Sequence, residues 1–192
     1  MKNTLILILM AISTSLFAQD KAPERMHPAL LVFDIQNQFM PIVEAREKEV
    51  AMYMINAYID MFRKNGFPVI RIYHTDKTYG PFPGTPEFGF PEVVTILPDD
   101  PEVIKTYANG FNKTDLEKIL RDKGVNSVFL CGFSSVGCVL ATWMGAKDLD
   151  FKAFLLKDAM MSHNSDYTNQ VEDMFDAAGY DVVEVLLNNA EK

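Results

Sequence analysis

"NSVFLCGFSSVGCVLATWMGAKDLD" (residues 126–150) decides the fold. Asn126 to Phe133 is a short, almost unbroken apolar run, "GFSSVG" (132–137) is a turn of small residues, and "CVLATWMGAKDLD" has helical spacing. A strand that is apolar along its whole length is buried on both faces, so it belongs in a parallel sheet covered by helices.

The pattern repeats outward in both directions. "ALLVFDI" (29–35), "PVIRIYHT" (68–75), "EVIKTY" (102–107), "KAFLLKDA" (152–159) and "DVVEVLL" (181–187) read as five more strands. Helical periods separate them. One covers 43–65 and stops at Asn65-Gly66; another follows Thr114, read as an N-cap with Glu117 completing a capping box, and closes at Gly124. A further helix over 166–178 ends near Gly179. Alternating strands and helices predict an α/β fold: a three-layer, doubly wound, mostly parallel sheet of about six strands with helices on both faces. Residues 28–192 form one such domain, and 76–100, rich in proline and glycine, is a long loop placed to cover a site.

The 192 residues carry a formal charge of −8, which argues against a nucleic-acid partner because phosphate recognition needs a basic surface. "MKNTLILILMAISTSLFAQD" has the layout of a secretory signal peptide, with residues 1–18 removed and 19–27 a short linker. An uncleaved anchor is the rival reading, although the apolar run is short for a membrane span. The expected location is exported, periplasmic or secreted, with no stable membrane insertion after signal removal. Export permits disulfides. Yet Cys131 closes a strand and Cys138 starts a helix, a placement that need not bring the two side chains face to face.

In a doubly wound sheet, ligands bind beyond the carboxyl ends of the strands. Asp34 ends the first strand, Lys105 lies in the third, and Cys138 follows the fourth. A carboxylate and a lysine on apolar strands are each costly to bury alone, and mutual neutralisation accounts for both. Cys138, at a helix start, is the candidate nucleophile: the helix dipole, free backbone N–H groups and a nearby lysine all favour thiolate. The same N–H groups suit an oxyanion. Cys131 reads as a small buried hydrophobe. Phe39, Tyr107 and Phe111 are candidate walls of an aromatic pocket, with core packing the alternative for each. His74 is a pocket-wall or hydrogen-bonding residue. With Asp76 it makes a poor metal site, so no metal and no cofactor are expected.

These segments resemble the isochorismatase-like superfamily of cysteine hydrolases, which includes nicotinamidases and N-carbamoylsarcosine amidohydrolases. The similarity runs over 28–187. It is carried by "LLVFDIQNQF" (Asp34, Gln36, Phe39), "VIKTYANGFNKTDLEKIL" (Lys105, Phe111, Thr114) and "GFSSVGCVLAT" (Gly132, Ser135, Cys138, Val139, Thr142). The resemblance implies Asp34 as general base, Lys105 as the charge that holds base and nucleophile, and Cys138 as the attacking thiol. It also implies an oxyanion hole from the backbone N–H groups of Ser134 and Cys138, and a cis peptide at Phe133–Ser134. The reaction it implies is cleavage of a C–N bond in a small amide, carbamoyl or ureido compound through a thioester. Vinyl-ether or ester hydrolysis, and a binding protein with a vestigial site, are the alternatives. The implied partner is a small molecule, and folds of this kind commonly pair through their helices into homo-oligomers.

Overall fold

The computed structural model describes residues 25–191. Five strands form one parallel sheet: β1 (Pro28–Phe33), β2 (Val69–His74), β3 (Glu102–Lys105), β4 (Ser127–Phe133) and β5 (Lys152–Met161), in the order β3-β2-β1-β4-β5. The chain winds outward from β1 through β2 to β3, then returns to start again at β4. The order therefore reverses between β1 and β4, and there the loops leaving two adjacent strands diverge and leave a crevice.

Alternation along each central strand feeds two cores. Leu30 and Val32 face α1 (Ala45–Lys64), which presents Met52, Ile55, Ile59 and Phe62 at helical spacing. Ala29, Leu31 and Phe33 face the opposite layer, made by α2 (Leu116–Asp122), α3 (Leu140–Asp148) and α4 (Ser165–Met174). Both faces of β1 are therefore buried throughout, the condition that made its sequence continuously apolar.

Three expectations change. The stretch 181–187 is not a sixth strand but lies in a helix, α5 (Tyr180–Asn188). Residues just before it already occupy the edge of β5: Ala178 donates to the Leu155 carbonyl at 2.8 Å and accepts from Lys157 at 3.0 Å. Gly179 then turns the chain back onto α1, burying Val183 and Leu187 while Val182 and Val185 stay exposed. A spacing of four between the buried residues is a helical face, and it overrides the β-branched bias of the segment. The helix after Thr114 begins at Leu116 with Asp115 as N-cap and no side-chain cap bond. Thr114 Oγ1 instead accepts from Leu116 N–H at 3.2 Å, and Glu117 reaches Arg121 at 3.6 Å. The helix expected over 166–178 ends at Met174.

The proposed signal segment 1–18, and 19–24 of the linker, lie outside the described residues. Residues 25–27 are tied to the domain: Asn126 accepts from His27 N–H and donates to the Arg25 carbonyl, both at 2.8 Å. Among the described residues no helix is long and apolar enough to cross a membrane.

Candidate active site

Asp34 follows the last residue of β1 and takes a left-handed conformation, φ 49°, that aspartate tolerates better than most side chains. Its N–H still donates to the Ile72 carbonyl at 2.9 Å, so the turn is anchored to β2. Lys105 ends β3 and reaches under β2 to the same point. Its ammonium, wholly withdrawn from solvent, donates to Asp34 Oδ2 at 2.7 Å and to Cys138 Sγ at 3.1 Å. His74 Nδ1 lies 3.5 Å from the same nitrogen. The three N–H bonds of the ammonium thus have three acceptors around them. The three residues expected at strand ends are together.

Cys138 sits on a turn rather than at the start of a regular helix. Residues Ser135–Val139 form one wide turn with a non-helical Gly137, and α3 begins at Leu140. The Ser134 carbonyl closes the turn by accepting from Gly137 at 2.9 Å and Val139 at 3.2 Å. The Phe133–Ser134 peptide is cis. Thr142, buried one turn later, donates to the Cys138 carbonyl at 2.7 Å and accepts from Gly110 N–H at 2.8 Å, which ties the turn to the loop after β3. Gly132 is required here. It lies at φ 110°, and a Cβ would stand 2.1 Å from the Phe33 carbonyl oxygen.

Burial works against the features that favour thiolate at Cys138. Burial, reinforced by the Asp34 charge, outweighs Lys105 and pushes the Cys138 thiol up to about 12. Burial likewise raises Asp34, against the opposing pull of Lys105. Asp34 Oδ1 is buried and, among the described residues, has no hydrogen-bond partner. The centre is therefore a thiol raised by burial beside the buried Lys105–Asp34 pair. Cys131 is separate: fully buried, with its thiol directed at the Leu31 carbonyl at 3.6 Å, and raised far out of the reactive range by burial. Both cysteines are free.

Of the four expected pocket residues, two adjoin the triad. Phe39 stacks on Phe133 with centroids 5.5 Å apart and tilts against His74 at 6.3 Å. Burial first, then Lys105, lowers His74, so its ring is neutral at neutral pH. The nitrogen facing the ammonium must then be the acceptor, leaving the proton on Nε2. Tyr107 stands half-exposed and accepts from Lys113 at 2.8 Å. Phe111 stacks on Phe151 at 5.8 Å and packs against the core instead. Asp76 holds its own turn, accepting from Thr78 and Tyr79 N–H at 2.8 Å each. No cluster of three or more potential metal ligands occurs among the described residues.

Sequence reasoning did not assign Gln36 and Phe133 a place in the site. Gln36, fully buried, accepts from His74 N–H at 2.8 Å and donates to the carbonyls of His74 and Phe88 at 3.1 Å each. It fixes His74 and the loop 76–100 against the end of β1. A polar residue two positions after a strand-end aspartate is the signal that could have marked it. A cavity of about 780 Å³ lies elsewhere, between α1 and Pro91–Val93. Its lining contains no cysteine and no buried ion pair, so the chemistry points to Cys138.

A parallel α/β sheet with a thiol, a carboxylate and a lysine converging at its switch point defines a class of hydrolytic site. Residues 28–185 match the model of the isochorismatase domain, and the chain belongs to the isochorismatase family of hydrolases. An isochorismatase family protein of Bacillus subtilis, YddQ, is 31% identical over 153 residues, covering 77% of this chain and 83% of that protein. The maleamate amidohydrolase of Pseudomonas putida is 30% identical over 83 residues, 43% of this chain and 39% of that enzyme. The crystal structure of an N-carbamoylsarcosine amidase from Thermoplasma acidophilum superposes with a TM-score of 0.69 at 22% identity, covering 80% of this chain and 95% of that one, and shares the fold.

Proposed function

We propose that the protein is a cysteine-dependent amidohydrolase acting on a small amide, carbamoyl or ureido compound. The observation that carries this reading is the buried ammonium of Lys105, which donates at once to Asp34 Oδ2 at 2.7 Å and to Cys138 Sγ at 3.1 Å and so sets carboxylate and thiol side by side. A thiol that burial pushes up to about 12 needs a base at the moment of attack, and Asp34 is the carboxylate beside it.

In the proposed cycle the Cys138 proton moves to Asp34 as Sγ bonds to the substrate carbonyl carbon. The carbonyl π electrons move to oxygen, which the backbone N–H groups of Ser134 and Cys138 receive. Collapse breaks the C–N bond, and Asp34 returns the proton to the departing nitrogen. A water then gives a proton to Asp34 as it attacks the thioester; collapse breaks the C–S bond, Asp34 passes that proton to sulfur, and the acid leaves with the thiol restored. Lys105 stays charged throughout, holding Asp34 and offsetting negative charge on sulfur. Phe39 and Phe133 present a flat apolar wall, and His74 Nε2–H a donor for a carbonyl or carboxylate of the substrate. The named activities of the maleamate amidohydrolase and the N-carbamoylsarcosine amidase support C–N cleavage.

The test is a screen of small amides and ureides for ammonia release, with Cys138→Ala as the blank. Intact-mass spectrometry should find an acyl adduct on Cys138 during turnover. Equal ammonia release by Cys138→Ala would refute the mechanism.

A further inference from the structure

From the nucleophile turn a second polar chain runs through α4 to α1. Ser135, the residue between Ser134 and the rest of the turn, is fully buried. Its Oγ lies 3.0 Å from Thr168 Oγ1 on α4, and Thr168 Oγ1 donates to Glu47 Oε1 in the first turn of α1 at 2.6 Å. Ser162 lies beside them, with Thr168 Oγ1 3.2 Å from its hydroxyl.

Counting protons gives this chain a direction. Each hydroxyl has one proton to donate. Thr168 directs its proton to the carboxylate, the shorter and charge-assisted contact. Ser162 directs its own to the Asn164 carbonyl at 2.6 Å. The proton between Ser135 and Thr168 must therefore come from Ser135, and the order is Ser135 to Thr168 to Glu47. Glu47 Oε1 also accepts from Ser162 N–H at 3.2 Å, at the end of β5. One carboxylate thus gathers α1, α4, the end of β5 and the nucleophile turn.

Glu47 is not satisfied by this. Its Oε2 is buried and has no hydrogen-bond partner among the described residues. Glu47 itself is half-buried and, with Thr168, lines a cavity between α1 and α4.

We propose that Glu47, acting through Thr168, is a positioning residue that holds Ser135 and thereby sets the backbone of the Ser134–Cys138 turn for the oxyanion. The inference rests on the cysteine-hydrolase reading above, and names what orients the N–H groups that reading invokes. Glu47 does not touch the reacting atoms. Its charge fixes one rotor, Thr168, which fixes the next.

Thr168→Val keeps the shape and removes both the donor and the acceptor, while Thr168→Ser keeps the hydroxyl. Two quantities are read: hydrogen exchange at the Gly137 and Val139 amides, which the Ser134 carbonyl protects, and kcat and KM on the amide found by the screen. In Thr168→Val, exchange at both amides should quicken about tenfold and kcat should fall about tenfold, the scale of one lost buried hydrogen bond. KM should stay within about twofold of the starting protein, since the substrate wall is untouched. Thr168→Ser should restore both. Glu47→Gln, which keeps an acceptor but loses its charge, should lower kcat by about threefold.

Unchanged exchange and kcat in Thr168→Val would overturn the proposal. So would a Thr168→Ser protein as impaired as Thr168→Val, because packing would then be the cause. If the starting protein hydrolyses no amide or ureide, the proposed reaction fails while the exchange measurement still decides whether the turn is tethered.

Discussion

Removing Lys105 tests the triad as a physical object, independently of any substrate. Its ammonium is fully enclosed and sits 2.7 Å from an Asp34 carboxylate that is 1% exposed. Lys105→Met preserves the length and apolar stem of the side chain but leaves that carboxylate buried and unpaired. Breaking a buried pair on one side costs about 3–5 kcal/mol, which for a domain of this size lowers Tm by about 6–20 °C. The defect should depend on pH. Burial already raises the Asp34 carboxyl and Lys105 opposes it, so without the lysine the folded-state value rises further above the unfolded one. A group raised in this way contributes its stability fully below the unfolded value and loses it as pH rises through the folded value. The variant should therefore be closest to the parent near pH 4–5 and furthest below it at pH 8. Combining Lys105→Met with Asp34→Asn, which tolerates the left-handed backbone at this position, removes both charges and should recover all but about 1 kcal/mol. Urea unfolding followed by the fluorescence of the single tryptophan, Trp143, reads all three proteins. A Lys105→Met protein as stable as the parent at pH 8, or a double variant no better than the single one, would refute the buried-pair reasoning.

Other expectations follow from particular contacts. Burial raises the Glu172 carboxyl from 4.5 to about 7. Its penalty is absent below pH 4.5 and complete above pH 7, and solvent screening in the open cavity it lines reduces the full difference of about 3 kcal/mol to about 1–2 kcal/mol. Glu172→Gln can still accept from Asp158 N–H, so urea titrations should show it more stable than the parent at pH 8 and level with it at pH 4. Gly132→Ala places a methyl against the Phe33 carbonyl oxygen at a positive φ, and should cost about 3–5 kcal/mol in thermal unfolding. Phe39→Ala removes the stack on Phe133, worth about 0.5–1.5 kcal/mol. Steady-state kinetics should show KM raised about threefold to tenfold, with kcat little changed.

The strand pattern was legible because full burial leaves a plain mark. β1 and β4 are almost wholly apolar for one reason, a helix layer on each face, and the limits of β1, β2 and β4 fall within one or two residues of expectation. Asp34 and Lys105 stood out because charged residues in such strands contradict their surroundings. Segment 181–187 carried no comparable mark. Its valines favour a strand, and the choice of helix depended on β5 having its edge occupied by Ala178.

By itself the sequence determined the parallel α/β architecture, the place of Asp34, Lys105 and Cys138 at strand ends, and the relegation of Cys131 to the core. Each follows from local hydrophobicity and from the rule that a buried charge must be answered. Tertiary structure alone decided that burial raises the Cys138 thiol, that Phe111 turns into the core while Phe39 meets His74, and that Glu47 lies behind the turn. The reason is range. Desolvation, ring stacking and hydrogen-bond direction depend on which residues far apart in the chain become neighbours, and Glu47 and Thr168, 121 residues apart, bear no mark of each other until the chain is folded.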